Sequence, residues 1–200
     1  MRNIAIVDDN DSELKILKAM AEEAGLNVIA TGSNGEDAVE ICAAGLPELI
    51  IMDYKMPVKD GIEAAIEISK TCPTAIVLLT AYDDEKSIQT AAEAGVMAYL
   101  VKPVRQEQLL PAVEVALSRF KEFEALRKEN VALKDAVEAR KIIEKAKGLL
   151  MEKEGLNENE AFVRIRKMSM DRRKDMKEIA LTLIAALEGK DKRTAVGKGL

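Results

Sequence analysis

Three aspartates, a threonine and a lysine stand at the ends of four short apolar runs. Asn3-Ile4-Ala5-Ile6-Val7 leads into Asp8-Asp9, and Leu49-Ile50-Ile51-Met52 leads into Asp53. Ala75-Ile76-Val77-Leu78-Leu79 leads into Thr80, and Met97-Ala98-Tyr99-Leu100-Val101 leads into Lys102-Pro103. Carboxylates are hard oxygen donors suited to Mg²⁺, which keeps several waters and needs few protein ligands. An aspartate attacks phosphorus well only when its charge and that of the incoming phosphoryl group are neutralised. Asp8, Asp9 and Asp53 supply a pocket for the cation. Lys102 supplies a fixed positive charge, and Thr80 a hydrogen bond to a phosphoryl oxygen. The set describes a site for a divalent cation and a phosphoryl group, provided that one fold gathers residues ~90 positions apart.

A parallel sheet does this, because the carboxyl ends of its strands share one edge. Up to about residue 120, short apolar runs alternate with helical stretches, the pattern of a parallel α/β sheet. The runs place strands near 3–8, 27–31, 48–53, 75–80 and 97–101. Helices fall near 12–24, 34–44, 61–70 and 84–94, and from about 105 onward. Gly25, Gly45 and Gly95 sit where helices should stop. Five such units predict a doubly wound, five-stranded parallel sheet of order 2-1-3-4-5, since crossovers are right-handed.

Composition narrows the classes. No run approaches the ~18 apolar residues of a membrane span, and the first residues are already strand-like, as expected of a cytoplasmic protein. Cys42 and Cys72 are too few for a disulfide framework or a zinc site. The chain has no histidine, which excludes histidine acid–base chemistry and assigns any phosphohistidine to another protein. The net charge of −5 hides a split: ten basic against twenty acidic residues up to position 120, and twenty against fifteen beyond it. Such asymmetry makes the C-terminal part the candidate for nucleic acid.

The first 120 residues resemble the response-regulator receiver domain. The resemblance rests on Val7-Asp8-Asp9-Asn10, Met52-Asp53-Tyr54-Lys55-Met56-Pro57, Asp60-Gly61, Thr80-Ala81 and Tyr99-Leu100-Val101-Lys102-Pro103, in order and each at a strand end. It implies a flavodoxin-like fold in which Asp53 accepts phosphate from a sensor histidine kinase. It also implies that Asp9 and Asp53 ligate Mg²⁺ with the Lys55 carbonyl, Asp8 assisting through water. Thr80 and Tyr99 match the pair that moves on phosphorylation, and Lys102-Pro103 matches a cis peptide. Lys55 and Tyr82 match positions that tune loss of the phosphoryl group. A D-x-D phosphatase is the rival enzyme reading, and it fails because Lys55 stands where the second aspartate is needed.

The last receiver helix has no stop signal. From Ala112 to about Glu154 there is no proline and only Gly148, enough for a rod of ~60 Å. A heptad puts Phe123, Asn130 and Val137 at a, and Leu126 and Leu133 at d. Glu122 and Glu129 fall at g, and Arg127 and Lys134 at e, as a parallel dimer requires. The alternative is an amphipathic helix packed within the monomer. Asn157 with Glu160 forms a capping-box pattern. The helix after it has Ala161, Phe162, Ile165 and Met168 on one face, with the aromatic expected in the core rather than on a stacking platform. Asp171 is expected to cap a further helix carrying Met176, Ile179, Ala180, Leu183, Ile184 and Leu187. The methionines of this part, Met151, Met168, Met170 and Met176, are expected as core filler.

Residues 140–177 hold twelve basic against seven acidic residues, which suits phosphate neutralisation or, alternatively, a solvated surface. Arg140-Lys141-Ile142-Ile143-Glu144-Lys145-Ala146-Lys147-Gly148-Leu149-Leu150-Met151, Ala161-Phe162-Val163-Arg164-Ile165-Arg166 and Met170-Asp171-Arg172-Arg173 resemble the ANTAR domain. That is a three-helix RNA-binding module of transcription antiterminators. Ser169 departs from the family's usual alanine. A hydroxyl there is expected to bond back to a helix carbonyl.

The expected organisation is a receiver at 1–120, a coiled-coil helix at 121–139, an ANTAR domain at 140–188 and a disordered tail at 189–200. The resemblance implies a homodimer formed on phosphorylation. It would bind hairpins in nascent leader RNA through Lys147 and Arg166, on the family pattern, with Arg172 and Arg173 added from the clustering of charge, acting on RNA polymerase only indirectly. The alternatives are C-terminal helices that only dimerise or bind a protein, and a DNA-binding regulator.

Overall fold

The computed structural model describes residues 1–45, 47–81 and 94–196, with side chains to residue 188. Its N-terminal unit, Met1–Ala125, holds β1 (Asn3–Val7), β2 (Asn27–Gly32), β3 (Leu49–Asp53), β4 (Ala75–Thr80) and β5 (Ala98–Val101). All pairings are parallel, in the order β2-β1-β3-β4-β5. Helices α1 (Asp11–Glu23), α2 (Gly35–Ala43) and α3 (Gly61–Thr71) connect the strands. The helix expected near 84–94, and with it Tyr82, lies outside the described residues.

The central strands are apolar at nearly every position because both sheet faces are covered. Ile4, Ile6, Leu49, Ile51, Val77 and Leu79 pack on one side with α1 and the start of the last receiver helix. Ala5, Val7, Ile50, Met52, Ile76 and Leu78 pack on the other with α2 and α3. Each of these helices starts at a side-chain cap: Asn10 on α1, Asn34 on α2 and Asp60, with Glu63, on α3. Gly25, Gly45 and Gly95 take positive φ at the expected helix stops.

Helix α4 runs from Gln106 to Glu154, with Pro111 in its early turns. Leu109, Val113, Ala116 and Leu117 belong to the receiver core. From Ile142 to Leu150 its apolar side chains belong to a second core. Between these, Phe123, Leu126, Leu133 and Val137 are 46–65% exposed, and Asn130 is exposed with them. Counting back by sevens from Phe123, the same a positions fall on Ala116 and Leu109, and these two are spent on intrachain packing.

The second unit, Leu126–Leu200, adds α5 (Glu158–Arg172) and α6 (Met176–Val196). Its core is Ala146, Leu150, Ala161, Ile165, Ile179, Ala180 and Leu187. The capping box of Asn157 and Glu160 is present. The expected Asp171 cap is not. Asp171 lies inside the last turn of α5, and Asp175 instead accepts from the Lys177 N–H at the start of α6. Arg173 closes α5 in the left-handed conformation, φ 52°. There the Lys174 N–H reaches the Ser169 carbonyl, and the Ser169 hydroxyl donates forward to the Lys174 carbonyl, not back along the helix. The segment expected to be unstructured from 189 is helical through Val196. No proline interrupts it and only one glycine, Gly189, lies within it, at a cost of about 1 kcal/mol in helix propensity.

Two core expectations fail in this unit. Phe162 is 39% exposed, and Met151 and Met170 are also exposed. Ala161, Ile165 and Met168 suffice for the buried face of α5, and Phe162 is rotated about 100° from Ala161. Among the described residues, no helix is long and apolar enough to cross a membrane.

Candidate functional site

Strands β1 and β3 are neighbours at the point where the sheet order reverses, so their carboxyl ends open the crevice typical of doubly wound folds. Asp8 and Asp53 stand there, 1% and 8% exposed. β4 and β5 extend the same edge and bring Thr80 and Lys102 to it. The Lys102 ammonium lies 2.9 Å from Asp8 Oδ2 and 2.7 Å from Asp53 Oδ1. Its own backbone N–H donates to the Thr80 carbonyl at 2.8 Å, and the Lys102-Pro103 peptide is cis. Four positions spread over 95 residues therefore meet because they share one sheet edge.

Local turns hold the two acids. The Asn10 N–H donates to Asp8 Oδ1 at 2.9 Å, and the Lys55 N–H donates to Asp53 Oδ2 at 3.1 Å. Since Asn10 caps α1, Asp8 is free of that task and turns inward. Gly61 passes so close that a Cβ there would lie 2.4 Å from the Asp53 carbonyl oxygen. Glycine at 61 is a condition for packing α3 against β3.

Burial raises the Asp53 carboxyl above its ordinary range, opposed by the hydrogen bond and charge of Lys102. Burial also works against the Lys102 charge, but the hydrogen bonds that its ammonium donates to Asp53, Glu13 and Asp8 together raise its pKa well above the ordinary lysine value. The ammonium is therefore a permanent charge. Glu13 was not singled out from the sequence, yet its Oε2 lies 2.6 Å from Lys102. Its signal was position: it sits in the first turn of the helix that starts at this same sheet edge.

Of the three expected carboxylates, two are drawn together by the lysine. Asp8 and Asp53 meet on Lys102, but Asp9 is exposed, because consecutive residues leaving a strand point to opposite sides. Among the described residues no three Asp, Glu or Cys side chains group as a metal shell. The donor chemistry still suits Mg²⁺, which takes one or two carboxylates and fills its octahedron with water or phosphoryl oxygens. The Lys55 side chain is exposed. The Thr80 hydroxyl is buried and donates to the Ala81 carbonyl at 3.2 Å, while Tyr99 is half exposed on the outer strand β5.

In the second unit the structure separates the expected RNA contacts. Lys147 is corrected: it is 7% exposed and its ammonium is held by Glu144 at 3.0 Å and Glu158 at 2.8 Å. These hydrogen bonds, Glu158 first, raise its pKa. Lys147 ties the start of α5 to α4, and its charge is spent there. Arg166, Arg172 and Arg173 are exposed and, among the described residues, make no ion pair. Arg164 and Lys174, by contrast, are paired with Glu154 and Glu178.

Comparison with known proteins agrees with both halves. The family model of the response regulator receiver domain matches residues 4–114, and that of the ANTAR domain matches 131–184. The chain is 41% identical over 186 residues to the transcriptional regulatory protein PdtaR of Mycobacterium tuberculosis, covering 93% of this chain and 91% of that protein. Over 118 residues it is 30% identical to the chemotaxis protein CheY of Halobacterium salinarum, covering 58% of this chain and 98% of that one. A response regulator receiver domain protein from Clostridium thermocellum superposes with a TM-score of 0.56 at 29% identity, over 62% of this chain and 99% of that one. With a receiver match on one sheet edge and an ANTAR match on the basic three-helix unit, the chain belongs to the response regulators that couple a receiver to an ANTAR RNA-binding module.

Proposed function

We propose that Asp53 is phosphorylated by a sensor histidine kinase and that this controls binding of RNA hairpins by the second unit, preventing transcription termination. The observation that carries the proposal is the Lys102 ammonium bridging Asp8 and Asp53 at the switch point of the sheet. One carboxylate oxygen of Asp53 attacks the phosphorus of the kinase phosphohistidine. The P–O bond forms as the P–N bond breaks, and the imidazole leaves and takes a proton from solvent. The chain has no histidine, so the donor is a separate protein. Lys102, held charged by its acidic neighbours, neutralises the transferred group, and Thr80 reorients its hydroxyl from the Ala81 carbonyl toward a phosphoryl oxygen. Asp8, Asp9, Asp53 and the Lys55 carbonyl would hold Mg²⁺, which offsets negative charge between acceptor and phosphoryl group.

Movement of Thr80, with Tyr99 on the adjacent strand, carries the change to the outer sheet edge. Dimerisation follows along Phe123, Leu126, Asn130, Leu133 and Val137, the stretch of α4 that no intrachain core uses. A bias of a few kcal/mol suffices to shift a dimer population substantially. Arg166, Arg172 and Arg173 then meet RNA phosphates.

The test measures binding of the chain, treated with a small phosphodonor and Mg²⁺, to two-hairpin RNA and to duplex DNA across a salt series. Hairpin preference, lost in Asp53→Asn, is the expected result. Equal binding by Asp53→Asn overturns phospho-control. Duplex preference, or no nucleic-acid binding, overturns the RNA reading.

A further inference from the structure

The second unit contains a single aromatic residue after Phe123, and it is Phe162. The core closes without it, and 39% of the residue stays exposed. Along α5, positions i, i+4 and i+8 share a face, so Phe162, Arg166 and Met170 form a row, and Arg173 follows at the helix end. Met170 is 68% exposed. The row is thus an apolar patch interleaved with cations. Among the described residues, Arg166, Lys167, Arg172 and Arg173 make no ion pair, whereas Arg164 lies 2.7 Å from Glu154 and Lys147 is held by Glu144 and Glu158.

That combination selects its occupant. An apolar protein partner would leave four unpaired cations to be desolvated, whereas a polyanion with flat apolar faces satisfies both features. Nucleic acid is such a ligand, and only unpaired bases expose their faces; in a duplex they are stacked away. Resting on the RNA-binding reading above, we propose that Phe162 is the platform on which one unpaired loop base stacks, with Arg166 one turn further on against the adjacent phosphate.

The test uses the full chain, phosphorylated with a small phosphodonor, and a stem-loop RNA pool with a randomised loop, enriched on the wild type. From the enriched RNA a stem-loop is made with 2-aminopurine at each loop position in turn. In the wild type, binding quenches the fluorescence at one position. Phe162→Leu, which keeps apolar volume but not the flat ring, is expected to lose that quenching and weaken Kd about 5- to 150-fold. Phe162→Trp is expected to restore both. The salt slope of Phe162→Leu stays that of the wild type, whereas Arg166→Gln lowers it by about 0.7 for one lost contact to single-stranded RNA. Circular dichroism shows both variants folded, since position 162 lies outside the core. Wild-type binding with unchanged affinity and quenching in Phe162→Leu overturns the stacking platform alone. No enrichment of any RNA by the wild type overturns the RNA reading and the platform with it.

Discussion

Replacing Gly61 by alanine tests whether the Asp53 site depends on a close backbone approach. The added Cβ would stand 2.4 Å from the Asp53 carbonyl oxygen, 3.0 Å from Leu78 Cδ2 and 3.1 Å from Tyr54 Cα, where ordinary contact begins at 3.4 Å. Two of those atoms are backbone, so no rotamer change relieves the overlap; α3 and β3 must separate by about 1 Å. Overpacking of this kind costs about 1–3 kcal/mol. Alanine returns at most about 1 kcal/mol of helix propensity, and Gly61 sits at the first helical position, where the gain is smaller. The net expectation is a loss of about 1–2 kcal/mol. Because the displaced peptide is that of Asp53, phosphorylation by a small phosphodonor should slow by about 100-fold. Tyr54, Tyr82 and Tyr99 all lie in the receiver and the chain has no tryptophan, so tyrosine fluorescence in urea reports that unit alone. Gly35→Ala is the control: its Cβ meets the Lys59 carbonyl at 2.5 Å, so it should lose similar stability while keeping its phosphorylation rate. Wild-type stability and rate in Gly61→Ala would refute the argument, as would equal slowing in both variants.

Three further outcomes follow from the geometry. Val58 has φ 68° and is 77% exposed, and the Lys59 N–H closes a three-residue turn onto the Pro57 carbonyl; Val58→Gly should therefore stabilise the receiver by about 1 kcal/mol in urea melts. Arg173 is also left-handed, φ 52°, so Arg173→Gly should stabilise the second unit by about 1 kcal/mol in circular-dichroism melts while weakening RNA binding, and a gain in both would remove Arg173 from the RNA surface. Burial pushes the Cys42 thiol from 9.0 up to about 11. The neutral thiol is the form the fold favours, so its contribution is fully present below pH 9 and is lost as pH rises through 11. The loss is about 2–3 kcal/mol at most, read as a urea midpoint that falls between pH 8 and 10.5 in the wild type and falls less in Cys42→Ala.

The central strands β1, β3 and β4 were legible because each is a largely apolar run of five or six residues buried on both faces, as a parallel sheet covered on both sides demands. The site was legible for the same reason: a polar residue that ends such a run can lie only at the sheet's carboxyl edge. Glu13 was not legible, since a glutamate in the first turn of a helix satisfies the helix dipole whether or not it also reaches a lysine. The helix at Val196 was missed because composition weighs charge and glycine but not the pull of an already formed helix α6.

Side-chain facing is where local pattern fell short. Spacing puts Phe162 and Lys147 on recognisable helices, but the outcome for each depended on what the other helices brought to it. Ala161, Ile165 and Met168 filled the face of α5 and left Phe162 outside, and Glu158, eleven residues away in sequence, consumed the charge of Lys147. The sequence by itself determined which elements form, their order and the chemistry at the sheet edge, because those follow from periodicity and strand ends. Only the tertiary structure decided which charges are neutralised at home and which remain for a partner, because pairing depends on distances that the chain's local pattern does not contain.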